Sequence, residues 1–127
     1  LNSDGSARIG DFDLCDVRKA GDITTPCMLW GSPGYLSPER LQYGGEDYRG
    51  DIYSLGVTIY ELFSRKLPFG IHGEPAELYQ RRQEPFTPLS RFCPEIGKEI
   101  SQLVDGMLSF EVNSRPAYPE IIRTLHL

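Results

Sequence analysis

Residues 31–40, with the sequence GSPGYLSPER, form the stretch whose residue types and spacing most need a chemical explanation. Two prolines, two glycines and a Ser-Pro-Glu step make it too rigid for a flexible linker and too interrupted for a helix or a strand. A loop held this firmly needs a fixed contact with the rest of the fold. The carboxylate of Glu39 is the group whose partner has to be found.

The cysteines and histidines show no metal-binding, disulfide or nucleophile pattern. Cys15, Cys27 and Cys93 form no Cys-x-x-Cys pair, and any disulfide would leave one thiol over. His72 and His126 lie too far apart for zinc-ligand spacing, and no Gly-x-Ser-x-Gly elbow is present. Free thiols are typical of a reducing compartment, so the sequence predicts an intracellular, cytoplasmic protein.

Composition and charge are those of one globular domain. Of the 127 residues, 39% are hydrophobic and 24% are charged. The net charge of -5 disfavours a nucleic-acid partner, because phosphate binding depends on clustered Lys and Arg. The adjacent Arg81 and Arg82 are predicted to lie on a solvated helix face. The longest apolar stretch, LGVTIYELF, is far shorter than the roughly 20 residues of a membrane span, so no span is predicted. The oligomeric state does not follow from these features.

The elements that must position residues 31–40 are mostly helical. A turn cluster and a strand-like run in residues 1–12 predict a β-hairpin remnant, and residues 13–36 read as a long loop. Ser37 is predicted to cap a brief helix with Pro38 at its first position. The strongest helix, DIYSLGVTIYELFS, is predicted to begin at Asp51. Its apolar residues cover nearly the whole circumference, which predicts burial on all sides.

Three further helices are predicted after the central one. A short helix is expected at about 76–83, followed by a proline-punctuated loop. The next is predicted to begin at Pro94 and carries one apolar stripe down to Leu108. The last is expected to run from about Tyr118 to Leu125.

Four motifs follow one another in a fixed order: IGDFDL at 9–14, GSPGYLSPE at 31–39, DIYSLG at 51–56 and NSRP at 113–116. They resemble the Asp-Phe-Gly metal motif, the Ala-Pro-Glu end of the activation segment, the Asp-x-Trp/Tyr-Ser-x-Gly helix start and the late Arg-Pro of protein kinase domains. Each alone is a weak signal, but together they run in register along the chain. The sequence closely resembles the C-terminal lobe of a Ser/Thr-type protein kinase, from just after the catalytic loop to the last helix.

The resemblance implies a mainly α fold. This would be the helical subdomain of a kinase C-lobe with a β-hairpin remnant at its N-terminal edge, and the parent domain would be α+β and bilobal. It divides the chain into the hairpin remnant with the metal motif (1–12), the activation segment and substrate loop (13–39) and the helical core (40–127). Because the chain opens with Leu1 rather than Met, we expect it to be a piece of a longer protein.

The resemblance also implies roles for residues in the 31–40 stretch. Glu39 is expected to pair with Arg115 and so to pin the loop to the helical core, although both could instead be solvated surface charges. Ser32 stands where Ser/Thr kinases place the hydroxyl that contacts the catalytic loop, or it has a purely structural role. With Gly34 and Tyr35 it would form a substrate-binding platform. Tyrosine kinases carry a Pro and Trp pattern before the equivalent Glu, which this chain lacks.

Asp11 matches the family's magnesium ligand, which bridges the ATP phosphates. ATP and Mg²⁺ are therefore the expected cofactors of the intact parent, and none is expected in the isolated chain. Asp13 stands where the family has glycine, which reduces backbone freedom and adds a second carboxylate. This departure leaves open whether the parent is active or a pseudokinase.

Three other residues have two readings each. Asp51 is expected both to cap its helix and, by the family pattern, to hold the backbone of the catalytic loop. Thr24 and Thr25 follow the basic residues Arg18 and Lys19 in the activation segment. They could be phosphorylation sites that order the loop, or plain loop threonines.

The resemblance implies a parent that transfers the ATP γ-phosphate to Ser or Thr hydroxyls of a protein substrate. The 127 residues contain no glycine-rich phosphate loop, strand lysine or His-Arg-Asp catalytic loop. No catalytic residue is therefore assigned, and the isolated chain is expected to be inactive. The alternatives are a pseudokinase-like scaffold and a free-standing helical interaction module. Neither the protein substrate nor a regulatory partner follows from the sequence.

Overall fold

The computed structural model describes residues 32–43 and 47–126, which form a helical assembly. Its α-helices are α1 (Pro38–Tyr43), α2 (Tyr48–Ser64), α3 (Pro75–Arg81), α4 (Lys98–Met107) and α5 (Tyr118–Thr124). Short 3-10 turns lie at Pro33–Tyr35, Leu89–Arg91, Pro94–Ile96 and Val112–Ser114. The predicted mainly helical fold is confirmed. The predicted hairpin remnant at 1–12 lies outside the described residues.

Helix α1 begins where the sequence predicts. Pro38 occupies its first position, and the Arg40 N–H donates to Ser37 Oγ at 3.3 Å. Ser37 therefore caps the helix and satisfies one of the free N–H groups of its first turn. Glu39 lies in the same first turn, where a negative charge is favoured by the helix dipole.

Helix α2 begins three residues before its predicted start. Its N-cap is Asp47, whose Oδ1 accepts the Arg49 N–H at 2.9 Å. The prediction that Asp51 caps this helix is therefore wrong. Asp51 lies inside the first turn, where its charge still suits the helix dipole.

The prediction that α2 is buried on all sides is also wrong for the described part of the chain. One face is buried and carries Ile52, Tyr53, Val57 and Tyr60. The other face exposes Leu62, which is 68% accessible, because the described elements that pack on α2 cover one face of it. Leu55 and Phe63 are exposed as well.

Helices α2 and α4 make the most extensive helix–helix contact in the described core. A Cβ placed on Gly56 would lie 2.8 Å from Met107 Cβ, so glycine is needed for this approach. The predicted apolar stripe of α4 is confirmed, since Leu103, Val104 and Met107 are buried. The helix does not start at Pro94, however. A separate 3-10 turn covers Pro94–Ile96, and α4 follows after Gly97.

The remaining helices lie close to their predicted places. Helix α3 is shorter than predicted at its C-terminal end, and Arg82 caps it. Helix α5 is as predicted and buries Ile121 against the core. Within 32–43 and 47–126, no helix combines the length and the apolar character that crossing a bilayer requires.

Candidate functional site

The loop of residues 32–39, called the 32–39 loop below, is tied to the helices by an ion pair between Glu39 and Arg115. Arg115 Nη1 donates to Glu39 Oε1 at 2.7 Å and Nη2 donates to Oε2 at 2.8 Å. The contact is bidentate, which fixes the direction of the carboxylate as well as its position. The Arg115 side chain has no exposed surface and that of Glu39 is 16% exposed. The structure therefore contains the predicted pair, in a buried setting.

Arg115 is itself held on several sides. Its Nε donates to the Ser109 carbonyl at 3.0 Å, and Nη1 also donates to the Arg49 carbonyl at 2.8 Å. The guanidinium lies over the ring of Tyr53, 5.0 Å from its centroid. Because α2, the 109–115 segment and α1 meet at this side chain, the pair connects the end of the 32–39 loop to the helical core.

The charge of Arg115 controls the ionisation of Glu39. Burial alone would raise the pKa of Glu39, but the hydrogen bonds and charge of Arg115, together with hydrogen bonds from the backbone and from Ser37, outweigh burial and hold the pKa below its usual range. The ionised pair is therefore the stable form at neutral pH.

This depressed pKa predicts a pH dependence of stability. A carboxyl whose pKa is lower in the folded state contributes stability above its unfolded pKa, and the contribution is lost as pH falls through the folded pKa. We expect the difference in unfolding free energy between wild type and Glu39→Gln to be constant near neutrality and to shrink below the ordinary glutamate pKa of 4.5. Urea denaturation of both proteins over this pH range measures it. A difference that stays constant down to about pH 2.5 would contradict the depressed pKa.

The carbonyl groups of residues 33–36 accept hydrogen bonds from side chains of the helical core. Ser54 Oγ donates to the Tyr35 carbonyl at 2.9 Å. Arg82 Nη2 donates to the Pro33 and Gly34 carbonyls at 2.9 and 3.2 Å, and its Nε donates to the Leu36 carbonyl at 3.4 Å. The side chains of α2 and of the α3 end thus hold the backbone of the loop directly.

Arg82 was predicted to lie on a solvated helix face with Arg81, and that prediction is wrong. Arg82 is 2% exposed, whereas Arg81 is half-buried and donates to the His72 carbonyl at 2.6 Å. The local sequence did carry one signal. Arg82 lies four residues after Leu78, so the two share a helix side, and Leu78 is buried.

Gly34 allows the loop to sit close to the segment that follows α2. A Cβ on Gly34 would overlap Ile71 Cγ2 and lie 2.9 Å from Leu67 Cδ1. Any larger residue would push the loop away from this segment or displace Ile71. The position of Gly34 is thus set by packing.

Ser32 and Tyr35, two of the three hydroxyl residues of the loop, differ in their surroundings. Ser32 is exposed and its carbonyl accepts the Tyr35 N–H at 3.0 Å. Tyr35 is half-buried, and its hydroxyl donates to the Glu61 carboxylate. This hydrogen bond raises the pKa of Tyr35. The loop thus presents Ser32 to solvent and fixes Tyr35 against α2.

Several predicted site residues lie outside the described part of the chain. They are the proposed metal ligand Asp11, its neighbour Asp13, and the two threonines Thr24 and Thr25. Asp51 is described and is exposed on the first turn of α2. Within the described residues, no group of three or more His, Cys, Asp and Glu side chains could hold a metal ion.

Comparison with known proteins gives one consistent family. The model of the protein kinase domain matches residues 1–127. The chain is 32% identical over 104 residues to the serine/threonine-protein kinase PknL of Mycobacterium tuberculosis, covering 82% of this chain and 26% of that protein. It is 36% identical over 115 residues to rhodopsin kinase GRK1 of Rattus norvegicus, covering 91% of this chain and 20% of that protein. A probable serine/threonine-protein kinase, nek3 of Dictyostelium discoideum, is 28% identical over 123 residues, which cover 96% of this chain and 11% of that protein.

The chain spans about a quarter or less of each of these relatives. The match nevertheless extends over all its residues, and the buried pair of Glu39 and Arg115 joins two of the motifs on which the resemblance was based. The chain therefore belongs to the protein kinase domain family.

Proposed function

We propose that this chain is the helical, C-terminal part of a kinase that transfers the γ-phosphate of ATP to Ser or Thr hydroxyls of protein substrates. The observation that carries the proposal is the 32–39 loop. It is fixed by the bidentate contact of Glu39 with Arg115 and by the bonding of its inward carbonyls. A loop fixed in this way is suited to bind an extended peptide, because little conformational entropy remains to be lost on binding. The names of PknL and nek3, both serine/threonine-protein kinases, support the choice of hydroxyl substrate.

In this proposal the exposed Ser32 contacts the catalytic machinery, and Gly34 and Tyr35 form the platform for the substrate backbone. Glu39, Arg115 and Asp51 support the site without touching the substrate. Asp11 would hold the Mg²⁺ that accompanies ATP, since an Asp carboxylate is a hard ligand for a hard cation. The need for ATP, and an odd number of cysteines that leaves a thiol unpaired, favour an intracellular location.

One observation favours a second candidate function. Asp13 stands where the family has glycine, so the metal motif carries an additional negative charge and a stiffer backbone. A pseudokinase scaffold, which would keep the helical core and its loop but transfer no phosphate, would tolerate this change.

The experiment that separates the two is a phosphotransfer assay on the full-length protein that carries these residues. With radiolabelled ATP, Mg²⁺ and a mixed Ser, Thr and Tyr peptide library, we expect label on Ser and Thr after acid hydrolysis. The 127-residue chain alone serves as the control. We expect no phosphate transfer from it, because its sequence lacks the phosphate-binding motifs and the motif that supplies the catalytic base. Label on Tyr alone would contradict the proposed substrate class, and no label on any peptide would favour the scaffold.

A further inference from the structure

The Arg82 side chain is the buried charged group whose role the pairing of Glu39 and Arg115 does not explain. Arg82 follows α3 as its cap residue and is 2% exposed. Its guanidinium lies over the Phe69 ring at 5.0 Å from the centroid. In the described part of the chain no carboxylate pairs with it, and burial lowers the pKa of its guanidinium, an effect that the neighbouring Tyr53 hydroxyl partly opposes. A buried charge without a counter-ion is costly to keep, so its other contacts must account for it.

Those other contacts are backbone carbonyls of the 32–39 loop. Arg82 donates to the carbonyls of Pro33, Gly34 and Leu36. The carbonyl between them, that of Tyr35, is taken by Ser54 Oγ at 2.9 Å. Four successive carbonyls of the loop are thus bonded to two side chains of the helical core. The N–H donors of a planar guanidinium have fixed relative positions. They can therefore bind these carbonyls in only one conformation of the loop backbone.

The same side chain connects the loop to α3. The stem of Arg82 begins at the C-terminal cap of α3, and its head is packed between Phe69 and the loop. A shift of the end of α3 would therefore move the carbonyls of residues 33–36 with it.

We propose that Arg82 is a positioning residue for the protein substrate, which holds the 32–39 loop in the shape that receives the peptide. The proposal rests on the kinase function proposed above. Arg82 does not touch the reacting atoms, so its removal should weaken peptide binding and leave the phosphoryl transfer step intact. An interaction that contributes equally to the bound substrate and to the transition state changes KM and not kcat.

The test compares variants of the full-length protein. Arg82→Met removes the donors and keeps an apolar stem, whereas Arg82→Lys keeps the charge but has no planar fork. Arg81→Met is the matched control, since Arg81 is the preceding residue and donates to the His72 carbonyl instead of the loop. Ser54→Ala removes the remaining carbonyl donor from a different helix. Each variant is assayed with a serine peptide selected from the library by the wild-type protein.

We expect Arg82→Met to raise the KM for the peptide about tenfold and to change kcat and the KM for ATP less than about twofold. Arg82→Lys should be intermediate, Ser54→Ala should raise the peptide KM about threefold, and Arg81→Met should stay within about twofold of wild type. A lower kcat at unchanged peptide KM in Arg82→Met, or an equal effect of Arg81→Met, would overturn the proposal. Should Arg82→Met fail to fold, an unchanged peptide KM in both Arg82→Lys and Ser54→Ala would overturn it.

Hydrogen exchange separates this inference from the proposed function itself. Amide exchange of the segment 32–43 should be about tenfold faster in Arg82→Met than in wild type, and unchanged in Arg81→Met. This measurement needs no phosphotransfer. If the wild type labels no peptide, the kinase proposal fails while exchange still decides whether Arg82 fixes the loop. Exchange at the wild-type rate in Arg82→Met would show that it does not.

Discussion

Replacement of Glu39 by alanine is expected to lower the free energy of unfolding by about 3–5 kcal/mol, the range measured when one partner of a buried ion pair is removed. The physical reason is the buried guanidinium of Arg115, which has no exposed side-chain surface and would lose its only carboxylate partner in the described part of the chain. We expect the lower end of the range. Arg115 would keep its hydrogen bonds to the Ser109 and Arg49 carbonyls, which partly stabilise its charge.

Urea denaturation followed by circular dichroism measures this effect. Glu84→Ala is a suitable control, because Glu84 is an exposed glutamate whose loss should change the unfolding free energy by less than about 0.5 kcal/mol. Arg115→Met and the double variant complete a cycle. If the pair is the source of the effect, the double variant should be less destabilised than the sum of the single variants, since no unpaired charge remains buried. A Glu39→Ala midpoint equal to that of Glu84→Ala would contradict the role given to the pair.

The ion pair and α1 could be predicted because their signals are local or motif-based. Ser37 and Pro38 mark the start of α1 through the hydrogen-bonding needs of a first turn, which do not depend on the rest of the fold. The pairing of Glu39 with Arg115 could not be derived from spacing, but it could be taken from the family motif. Neither the spacing nor the motif predicts that Glu39 and Arg115 are buried, because their burial depends on tertiary packing.

The sequence did not predict the cap of α2, the burial of Arg82 or the exposed face of α2. Asp47 and Asp51 are both suitable caps by residue type, and only the extended backbone at Asp47, with φ -108° and ψ -169°, selects it. Arg82 looked like a solvated charge because composition gives no sign that a loop more than 40 positions earlier offers its carbonyls. The apolar circumference of α2 likewise predicted burial, yet Leu62 is exposed where no described element packs against it. For Arg82 the partners are remote in sequence, so local propensity gives no indication of them.

Replacement of Asp11 by asparagine in the full-length protein is expected to lower the rate of phosphotransfer by about 10²-fold or more, the effect of losing one major electrostatic stabiliser. Mg²⁺ held by Asp11 would supply positive charge beside the phosphate oxygens, on which negative charge develops during transfer. Asparagine is close in shape to aspartate but carries no charge, so it would hold the ion weakly. The loss should therefore appear in kcat more than in the KM for the peptide, opposite to the pattern expected for Arg82→Met.

Asp13→Gly is the matched variant, because it changes the neighbouring carboxylate of the same motif. Its position is expected to set the backbone of the motif and to supply no required ligand. Glycine should therefore leave the rate equal or higher, by freeing the backbone and removing a like charge beside Asp11. Phosphotransfer rates of the wild type, Asp11→Asn and Asp13→Gly test the roles given to the two carboxylates.

An active wild type whose rate Asp11→Asn leaves unchanged would rule out the metal role of Asp11. A loss of activity in Asp13→Gly would show that the second carboxylate works with the first. Three inactive proteins with the 32–39 loop still protected from exchange would instead identify a scaffold, in which the loop and its two buried arginines are kept for binding alone.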